Sequence, residues 1–365
     1  MPILKDIIRV LEAFAPPALQ ESYDNAGLQV GDADMPIEAA LLSLDMTIGV
    51  LDEAERKGCN LVLTHHPLIF GGLKSLTGRN ETERIVISAI RRNIAIYSAH
   101  TNLDAVPGGV NGMLASRLGL QSPRILDPMK GRLKKLVVFV PHDHLEPVRQ
   151  AIFDAGAGHI GAYDQCSYRS EGQGSFRPLD GSRPYVGKEG SLHLEAESRL
   201  ETILPEHLVG RVVEAMCLAH PYEEVAYDLY PLDNPWNEAG MGMIGELEEA
   251  LSERAFMDRL KAVTGVPVVR HSALLGRKIS KVALCGGAGS FLIRSALREA
   301  ADVFLTGDLK YHQFFEAEGR LVLMDIGHFE SEQFTRDLFY DLLTKNFPKF
   351  AVRIAEIDTN PIKYY

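Results

Sequence analysis

The feature that most constrains the fold is an alternation of short apolar runs with helical patterns, which occurs twice along the chain. In the first half the apolar runs are ALLSLD, NLVLTHH and IAIYSAH, and in the second half they are KVALCGG, ADVFLTGD and RLVLMDIGH. Segments with the period of an amphipathic helix separate them. Strand, helix and strand in this order are typical of right-handed parallel βαβ units. The sequence therefore predicts an α/β fold with two βαβ-type lobes.

The two lobes are similar enough to predict an internal duplication. The spans 41–64 and 283–306 have the same length and run between equivalent points of the two patterns. Further along, IAIYSAHTNLD aligns without a gap on VLMDIGHFESE. This alignment matches His100 with His328 and Asp104 with Glu332, so each lobe has a histidine followed four residues later by a carboxylate. We therefore expect two duplicated lobes that form one core.

A different pattern lies between the lobes. Residues 128–241 follow the order strand, helix, strand, strand, helix, strand, which is the βαββαβ order of a ferredoxin-like domain. Within it, AYDQCSYRSEGQGSFRPL has the polar and glycine-rich character of a hairpin. An inserted domain leaves its host fold intact when its two ends lie close together. We therefore predict one core made of residues 1–127 and 242–365, with residues 128–241 inserted into it.

Composition disfavours several classes of partner. The net charge is −11 and the basic residues form no stripe, so a nucleic-acid partner is not expected. Four cysteines lie far apart without a CxxC pair, which predicts reduced thiols, a cytoplasmic location and no cysteine-ligated zinc. No apolar run approaches the length that spans a membrane, and acidic residues interrupt the apolar N-terminal stretch, unlike in a signal peptide.

Histidines and carboxylates follow the apolar runs at the points where the predicted strands end. In an open α/β sheet the ligand crevice lies outside the carboxyl ends of the strands. Zinc and transition metals bind imidazole nitrogens and carboxylate oxygens. The candidate groups at this edge are His65 with His66, His100 with Asp104, Asp308, and His328 with Glu332. The sequence therefore predicts a metal site there.

Each candidate also has a simpler explanation. For His65 and His66 the alternative is one ring in the core and one capping a loop, but neighbours on a strand point to opposite faces and could each serve a different metal ion. His328 and Glu332 are four residues apart on one helical face, where an exposed surface pair is the alternative. Asp104 could be an ordinary turn residue. The matching positions in the two lobes favour the metal explanation.

Other residues near this edge remain open to several interpretations. His100 could bind a metal, orient a metal-bound histidine, move protons or simply pack, and we expect it beside the metal rather than on it. Tyr311 and His312 lie either on a surface helix or where they contact a substrate and transfer protons. The turn GGAGSF lacks the spacing of a phosphate-binding loop and is more typical of a tight turn.

Five separated motifs resemble those of a known family. They are SYDNAGLQVGD, THHPLIF, SAHTNLD, TGDLKYH and DIGHFESE. Together they are similar to the NGG-interacting-factor-like dinuclear metal-centre proteins, also called GTP cyclohydrolase I type 2 homologs, over essentially the whole chain. GSFRPLDGSRPYVG and HPYEEVAYDLYPL further resemble the long bacterial form, whose inserted domain is similar to CutA and PII proteins.

The resemblance implies a metal centre and an assembly. It implies two divalent metal ions, which for these mixed donors could be zinc, iron, manganese, cobalt or nickel. It also implies a toroidal homohexamer whose metal sites face an internal cavity. The implied metal ligands are His65, His66, Asp104, His328 and Glu332, with Glu332 bridging the two ions.

Two functions are compatible with this centre. The first is a metal-dependent hydrolase that attacks a small-molecule substrate, a nucleotide according to the resemblance, with a water shared by two ions. Its catalytic candidates are Glu332, as the bridge between the ions, and His100 or His312, as proton carriers. The alternative is a metal-binding, regulatory or metal-delivery protein without turnover.

Overall fold

The computed structural model describes residues 1–365, which form two compact units. Unit 1 consists of Met1–Asp127 and Glu238–Tyr365, and unit 2 is Pro128–Asn237. No helix combines the length and the apolar character that crossing a bilayer requires.

Eleven α-helices and fifteen strands make up the chain. The helices are α1 (Leu4–Phe14), α2 (Ile48–Arg56), α3 (Glu81–Arg91), α4 (Thr101–Asp104), α5 (Val110–Arg117), α6 (Leu145–Asp154), α7 (Val209–Ala219), α8 (Glu253–Thr264), α9 (Ile293–Arg298), α10 (His328–Glu332) and α11 (Thr335–Asn346). The strands are β1 (Gly27–Val30), β2 (Ala39–Ser43), β3 (Leu61–Thr64), β4 (Ala95–Ser98), β5 (Leu120–Met129), β6 (Leu133–Pro141), β7 (Ser167–Phe176), β8 (His193–Pro205), β9 (Tyr227–Leu232), β10 (Trp236–Ser252), β11 (Arg270–His271), β12 (Lys278–Leu284), β13 (Val303–Thr306), β14 (Val322–Asp325) and β15 (Ala351–Ile354).

The first sheet of unit 1 has the strand order β1-β4-β3-β2-β15. Strands β2, β3 and β4 run parallel and are buried along their whole length, as is typical of strands covered on both faces. Helices α2 and α3 begin after Thr47 and Asn80, whose side chains accept hydrogen bonds from backbone N–H groups of the first turn. The strands and helices predicted for the first lobe are confirmed.

The second sheet of unit 1 has the strand order β11-β14-β13-β12-β10-β5, and β12, β13 and β14 are parallel. Its central pairing repeats that of the first sheet, with Val282 opposite Val303 as Ala40 is opposite Leu61. The predicted helix after β13 is a 3-10 helix, Tyr311–Ala317. A mixed α/β fold is therefore confirmed.

The gap-free alignment of the two lobes is wrong by one residue where the third strands end. The backbone N–H of Ala99 donates to Thr64, and that of Ile326 donates to Thr306, so Ala99 and Ile326 hold equivalent positions. The alignment sets Ala99 against Gly327 instead. Consequently His100 precedes α4, whereas the first residue of α10 is His328. Helix α10 is one residue longer than α4, so Asp104 and Glu332 are each the last residue of their helix.

Each sheet of unit 1 includes a strand from the other half of the chain. Strand β15, near the C-terminus, pairs in parallel with β2 and lies at the edge of the first sheet. Strand β5, from the first half, lies at the edge of the second sheet beside β10. The sequence does not predict β15, because AVRI is short and mostly exposed and therefore has little apolar signal.

Unit 2 is one four-stranded sheet covered by two helices. Its elements follow the order β6, α6, β7, β8, α7, β9, and the sheet order is β7-β8-β6-β9 with antiparallel neighbours. Apolar side chains of β6, such as Leu136 and Val138, pack in one cluster with Val148 of α6 and Val212 of α7. This cluster is the core of unit 2.

The hairpin predicted at AYDQCSYRSEGQGSFRPL is not present. Residues 167–176 form the single strand β7, and its partner β8 begins only at His193, beyond a long loop. Most side chains of β7 are exposed, so the strand carries no alternation of apolar and polar residues. Without that alternation its glycines alone indicated a turn.

Candidate metal centre

The candidate metal centre lies in unit 1, where β3, β4 and β14 end. The backbone N–H groups of His65 and His66 both donate to the carbonyl of Leu44, so the chain turns immediately after β3. The two imidazole rings diverge from this turn, with centroids 5.0 Å apart and planes at 45°. The paired histidines therefore present their rings to two different groups of side chains.

The first group forms around His65, which is fully buried. Its Nδ1 lies 2.8 Å from the carbonyl oxygen of Ala99, and because a carbonyl only accepts, Nδ1 carries the proton. The bare Nε2 faces two carboxylates, at 3.8 Å from Asp104 Oδ1 and 3.7 Å from Glu332 Oε1.

The second group forms around His66 and His328. Nδ1 of His66 lies 2.7 Å from Asp45 Oδ1, and Nδ1 of His328 lies 2.8 Å from Asp308 Oδ2. These carboxylates place the ring protons on Nδ1, and the two Nε2 atoms face each other at 3.2 Å. Oε2 of Glu332 lies 3.0 Å and 3.1 Å from them.

These two groups fit a metal ion by the chemistry of their donors. Three buried atoms have no hydrogen-bond partner, namely His65 Nε2, Asp104 Oδ1 and Glu332 Oε2. Lone pairs that converge without a proton donor between them repel one another unless a cation lies among them. Imidazole nitrogens and carboxylate oxygens are the donors that zinc and first-row transition metals bind. The cluster is therefore compatible with metal binding.

The electrostatics of the site also favour positive charge. Burial lowers the pKa of the His66 imidazole, but its contacts with Asp45 and Glu332 outweigh burial and raise that pKa to about 10. Burial likewise lowers the pKa of His328, and its carboxylate neighbours raise it to about 9. Burial raises the pKa of the Asp104 carboxyl to about 6. Protons and metal ions therefore compete for the same lone pairs.

His100 stands beside these groups. Its ring lies 5.2 Å from that of His65 and 5.5 Å from that of His66, measured between centroids. Its Nδ1 is 2.8 Å from Asp24 Oδ1. Burial raises the pKa of Asp24, but the hydrogen bonds from His100 and Thr101 outweigh it and lower that pKa to about 2. Asp24 is therefore a carboxylate that fixes the orientation of the His100 ring.

Two of these carboxylates are not predicted from the sequence. Asp24 lies inside the motif SYDNAGLQVGD and Asp45 ends the run ALLSLD, but neither position by itself indicates a role. The position of Asp45 at a strand end was the one available signal. Asp308, which the sequence did place at this edge, has a left-handed backbone with φ 55°.

The structure brings the five predicted metal ligands together. It does not bring His312, the predicted proton carrier, to them. A cavity of about 430 Å³ opens onto His66, Asp104, Glu332 and further residues, and the exposed rings of Tyr23, Phe70 and Phe291 lie at its mouth. His312 is exposed, contacts Tyr311 and Phe315, and does not line this cavity.

The turn GGAGSF, which the sequence indicated only as a tight turn, borders the centre. A Cβ at Gly287 would lie 2.3 Å from Glu332 Oε1 and 3.2 Å from His328 Nε2. A Cβ at Gly307 would lie 2.8 Å from the backbone nitrogen of His328. Only glycine leaves the space that these ligands occupy. Close packing around the donors is therefore the local reason for both glycines.

Comparison with known proteins shows which family this chain belongs to. The model of the Duf34/NIF3 (NGG1p interacting factor 3) family matches residues 2–361, and the chain belongs to that family. The resemblance stated from the five motifs is thereby confirmed.

Its relatives cover nearly the whole chain. A Bacillus subtilis (strain 168) protein named GTP cyclohydrolase 1 type 2 homolog is 40% identical over 366 residues, which are 99% of this chain and 98% of the relative. A Halalkalibacterium halodurans protein of the same name is 43% identical over 325 residues, covering 88% and 87% of the two chains. The crystal structure of a Bacillus cereus protein related to NIF3 superposes with a TM-score of 0.85 at 39% identity and covers 100% of this chain and 99% of the other.

Proposed function

We propose that this chain is a dinuclear, divalent-metal-dependent hydrolase. The observation that supports it most is the position of Glu332, whose two carboxylate oxygens face different donor groups. His65 and Asp104 would hold one ion, His66 and His328 the other, and Glu332 would bridge them. Zinc, iron, manganese, cobalt and nickel all suit these donors.

The residues around the ions have separate tasks in this mechanism. Two divalent ions bound there would supply Lewis-acid activation of a substrate and of water. Asp45 and Asp308 hold Nδ1–H of His66 and His328, which keeps each Nε2 aimed at the centre. His100 lines the cavity with Nδ1 held by Asp24, so its Nε2 would take up or release the proton of the reaction. For His312 a proton-transfer role stays a prediction without a supporting contact in this chain.

We propose a small molecule with a planar ring as the substrate. Tyr23 and Phe70, with ring centroids 6.3 Å apart, and Phe291 expose aromatic surface at the mouth of the cavity. Flat apolar surfaces of this kind stack on planar rings. The name of the relatives, GTP cyclohydrolase 1 type 2 homolog, makes a nucleotide the first substrate to try.

The remaining predictions belong to the same proposal. We propose that the lobes of unit 1 are duplicates, because β2–β3 and β12–β13 pair in the same register. The strand order of unit 2 supports an inserted ferredoxin-like domain at residues 128–241, similar to CutA and PII proteins. We also propose that the protein forms a toroidal homohexamer and is located in the cytoplasm.

The metal content of purified protein tests the centre. We expect two ions per chain in the natural protein and well under one in Glu332→Gln, because an amide cannot replace both charged oxygens. Glu316→Gln, at an exposed position outside the cavity, is the matched control and should keep both ions. A Glu332→Gln protein that still binds two ions would contradict the bridging role.

Turnover is tested separately on the metal-loaded protein. Nucleotides, phosphoesters and cyclic amides form the substrate panel, and hydrolysis of any of them should fall on the order of a hundredfold in His100→Gln at unchanged metal content. If the protein binds two ions and hydrolyses nothing in the panel, the hydrolase proposal fails and the metal-binding or delivery function replaces it.

A further inference from the structure

Unit 2 contains a cavity that the metal centre does not use. It has a volume of about 550 Å³ and lies against β7 and β8. The loop between these strands and the segment that follows α7 complete its walls. A cavity of this size takes a small organic molecule.

Aromatic rings form one wall of this cavity. Phe176 and Tyr222 have ring centroids 5.9 Å apart, and Tyr185 and Tyr222 have centroids 6.2 Å apart. Tyr185 is 53% exposed although it is a large side chain on a loop. The wall therefore presents ring surface to whatever enters the cavity.

A buried carboxylate lies beside this wall. Glu197 is only 7% exposed, and its Oε1 accepts a hydrogen bond of 3.0 Å from the hydroxyl of Tyr222. No side chain or backbone group donates to its Oε2, and no basic side chain pairs with it. On the facing strand a Cβ at Gly174 would lie 2.1 Å from this Oε2, so glycine leaves room for the carboxylate. One oxygen of a nearly buried anion is thus without a donor.

The other charges around the cavity are also mainly negative. Glu171, Glu223 and Glu224 line it as well, and Arg199 is its one basic residue. Arg199 lies 3.2 Å from Glu201, which does not line the cavity. The ion pair of Arg199 is therefore with another carboxylate, and Arg199 makes none with Glu197.

We infer that this cavity binds an organic cation, either an ammonium or a guanidinium group on an apolar body. The cationic head would donate to Oε2 of Glu197, and the apolar body would lie against Phe176, Tyr185 and Tyr222. Cations are attracted to the faces of aromatic rings, and a carboxylate with an open oxygen adds a charged acceptor. A neutral ligand of the same shape lacks the ionic attraction to the carboxylate and to the ring faces.

Binding of benzylammonium chloride to the full-length protein tests this inference by calorimetry and ligand-observed NMR. We expect saturable binding of benzylammonium and benzamidinium, and affinity for benzyl alcohol at least about tenfold weaker. Glu197→Gln keeps an acceptor for Tyr222 but removes the charge, and it should lower the affinity for benzylammonium by about tenfold or more. Glu214→Gln, on the exposed side of α7, should bind as the natural protein does.

Two results would overturn the inference. One is equal affinity for benzylammonium and benzyl alcohol, which would make the cavity a neutral apolar site. The other is unchanged cation binding in Glu197→Gln. If that variant unfolds, Tyr185→Ala decides instead, because Tyr185 is half exposed on a loop and its removal takes away ring surface without disturbing the core. It should weaken cation binding several-fold, and unchanged binding contradicts the proposal.

Discussion

At the scale of single residues, the donors of the candidate metal centre are held in place by acceptors on the far side of each ring. His65 is fixed by a backbone carbonyl, and His66 and His328 are fixed by carboxylates. The neighbouring His100 is fixed by a carboxylate in the same way. Such partners fix the tautomer and the direction of the ring, so they affect metal affinity without touching the metal.

Asp45→Asn should therefore weaken metal binding without emptying the centre. The amide oxygen can still accept the hydrogen bond from Nδ1–H of His66, but it carries no charge, so it holds the ring less strongly. We expect the affinity to fall by about 10- to 100-fold, measured by competition with a chromophoric chelator. Asp341→Asn on the exposed face of α11 is the control. Identical affinities in the two variants would show that Asp45 does not orient His66.

Gly287→Ala should remove metal binding by steric clash. The new Cβ would lie 2.3 Å from Glu332 Oε1, and the backbone at this position has φ +60°. Gly319→Ala separates the two effects, because Gly319 has φ +64° with no atom near its Cβ position. Both variants should lose about 1 kcal/mol of stability from the backbone, and only Gly287→Ala should lose bound metal in elemental analysis. Metal loss in both would point to backbone strain instead.

The sequence predicted the histidines because each follows an apolar strand at its carboxyl end, and it predicted Asp104 and Glu332 because each comes four residues after such a histidine. Asp24 could not be assigned in the same way, since its contact with His100 joins residues far apart in the chain and has no local spacing. The one-residue difference between the lobes was equally hidden. It depends on which residue of β14 pairs with Thr306, and only the sheet register decides that.

At the scale of elements, one buried carboxylate connects helix α2 to the segment that follows β15. Glu53 accepts hydrogen bonds from the backbone N–H groups of Glu356 at 2.9 Å and Ile357 at 3.2 Å, and it pairs with Lys57 at 2.6 Å. Burial raises the pKa of Glu53, but Lys57 and these donors outweigh it and lower that pKa below its usual value of 4.5.

The direction of this shift predicts how stability depends on pH. A carboxyl whose pKa is lower in the folded state stabilises the protein above its unfolded pKa, and the stabilisation is lost as pH falls through the folded pKa. Glu53→Gln should therefore lower the free energy of unfolding by about 1.5–3 kcal/mol at neutral pH. Below pH 4.5 the natural protein loses the stabilisation from Glu53, so the variant should lose less further stability than the natural protein does. Denaturant unfolding across this pH range measures both effects. Glu55→Gln, at an exposed surface pair, should change stability by less than about 1 kcal/mol.

At the scale of the whole molecule, the halves of the chain complete each other in two places. The first half provides His65, His66 and Asp104, and the second half provides His328 and Glu332. Strands β5 and β15 extend the sheet of the opposite half. The sequence predicts that the two lobes form one core, but it does not predict the exchange of edge strands between them.

Removing residues 351–365 should therefore affect more than the terminus. The deletion takes β15 from the edge of β2 and also the hydroxyl of Thr359, which donates to Asp45. We expect a loss of several kcal/mol, at about 1 kcal/mol for each hydrogen bond, together with lower metal content. Removing only the exposed residues 363–365 is the control. Equal thermal stability of the two truncated proteins would argue against this role of β15.

The exchange of edge strands also has a consequence for the order of events during synthesis. A ribosome releases the chain from its N-terminus, so β2, β3 and β4 emerge long before residues 351–354. Until then the edge of β2 that β15 covers is open to other strands, which is a hazard for aggregation. His65 and His66 likewise emerge long before His328 and Glu332. The donors of the proposed metal centre can therefore come together in a nascent chain only after residues 328–332 have left the ribosome.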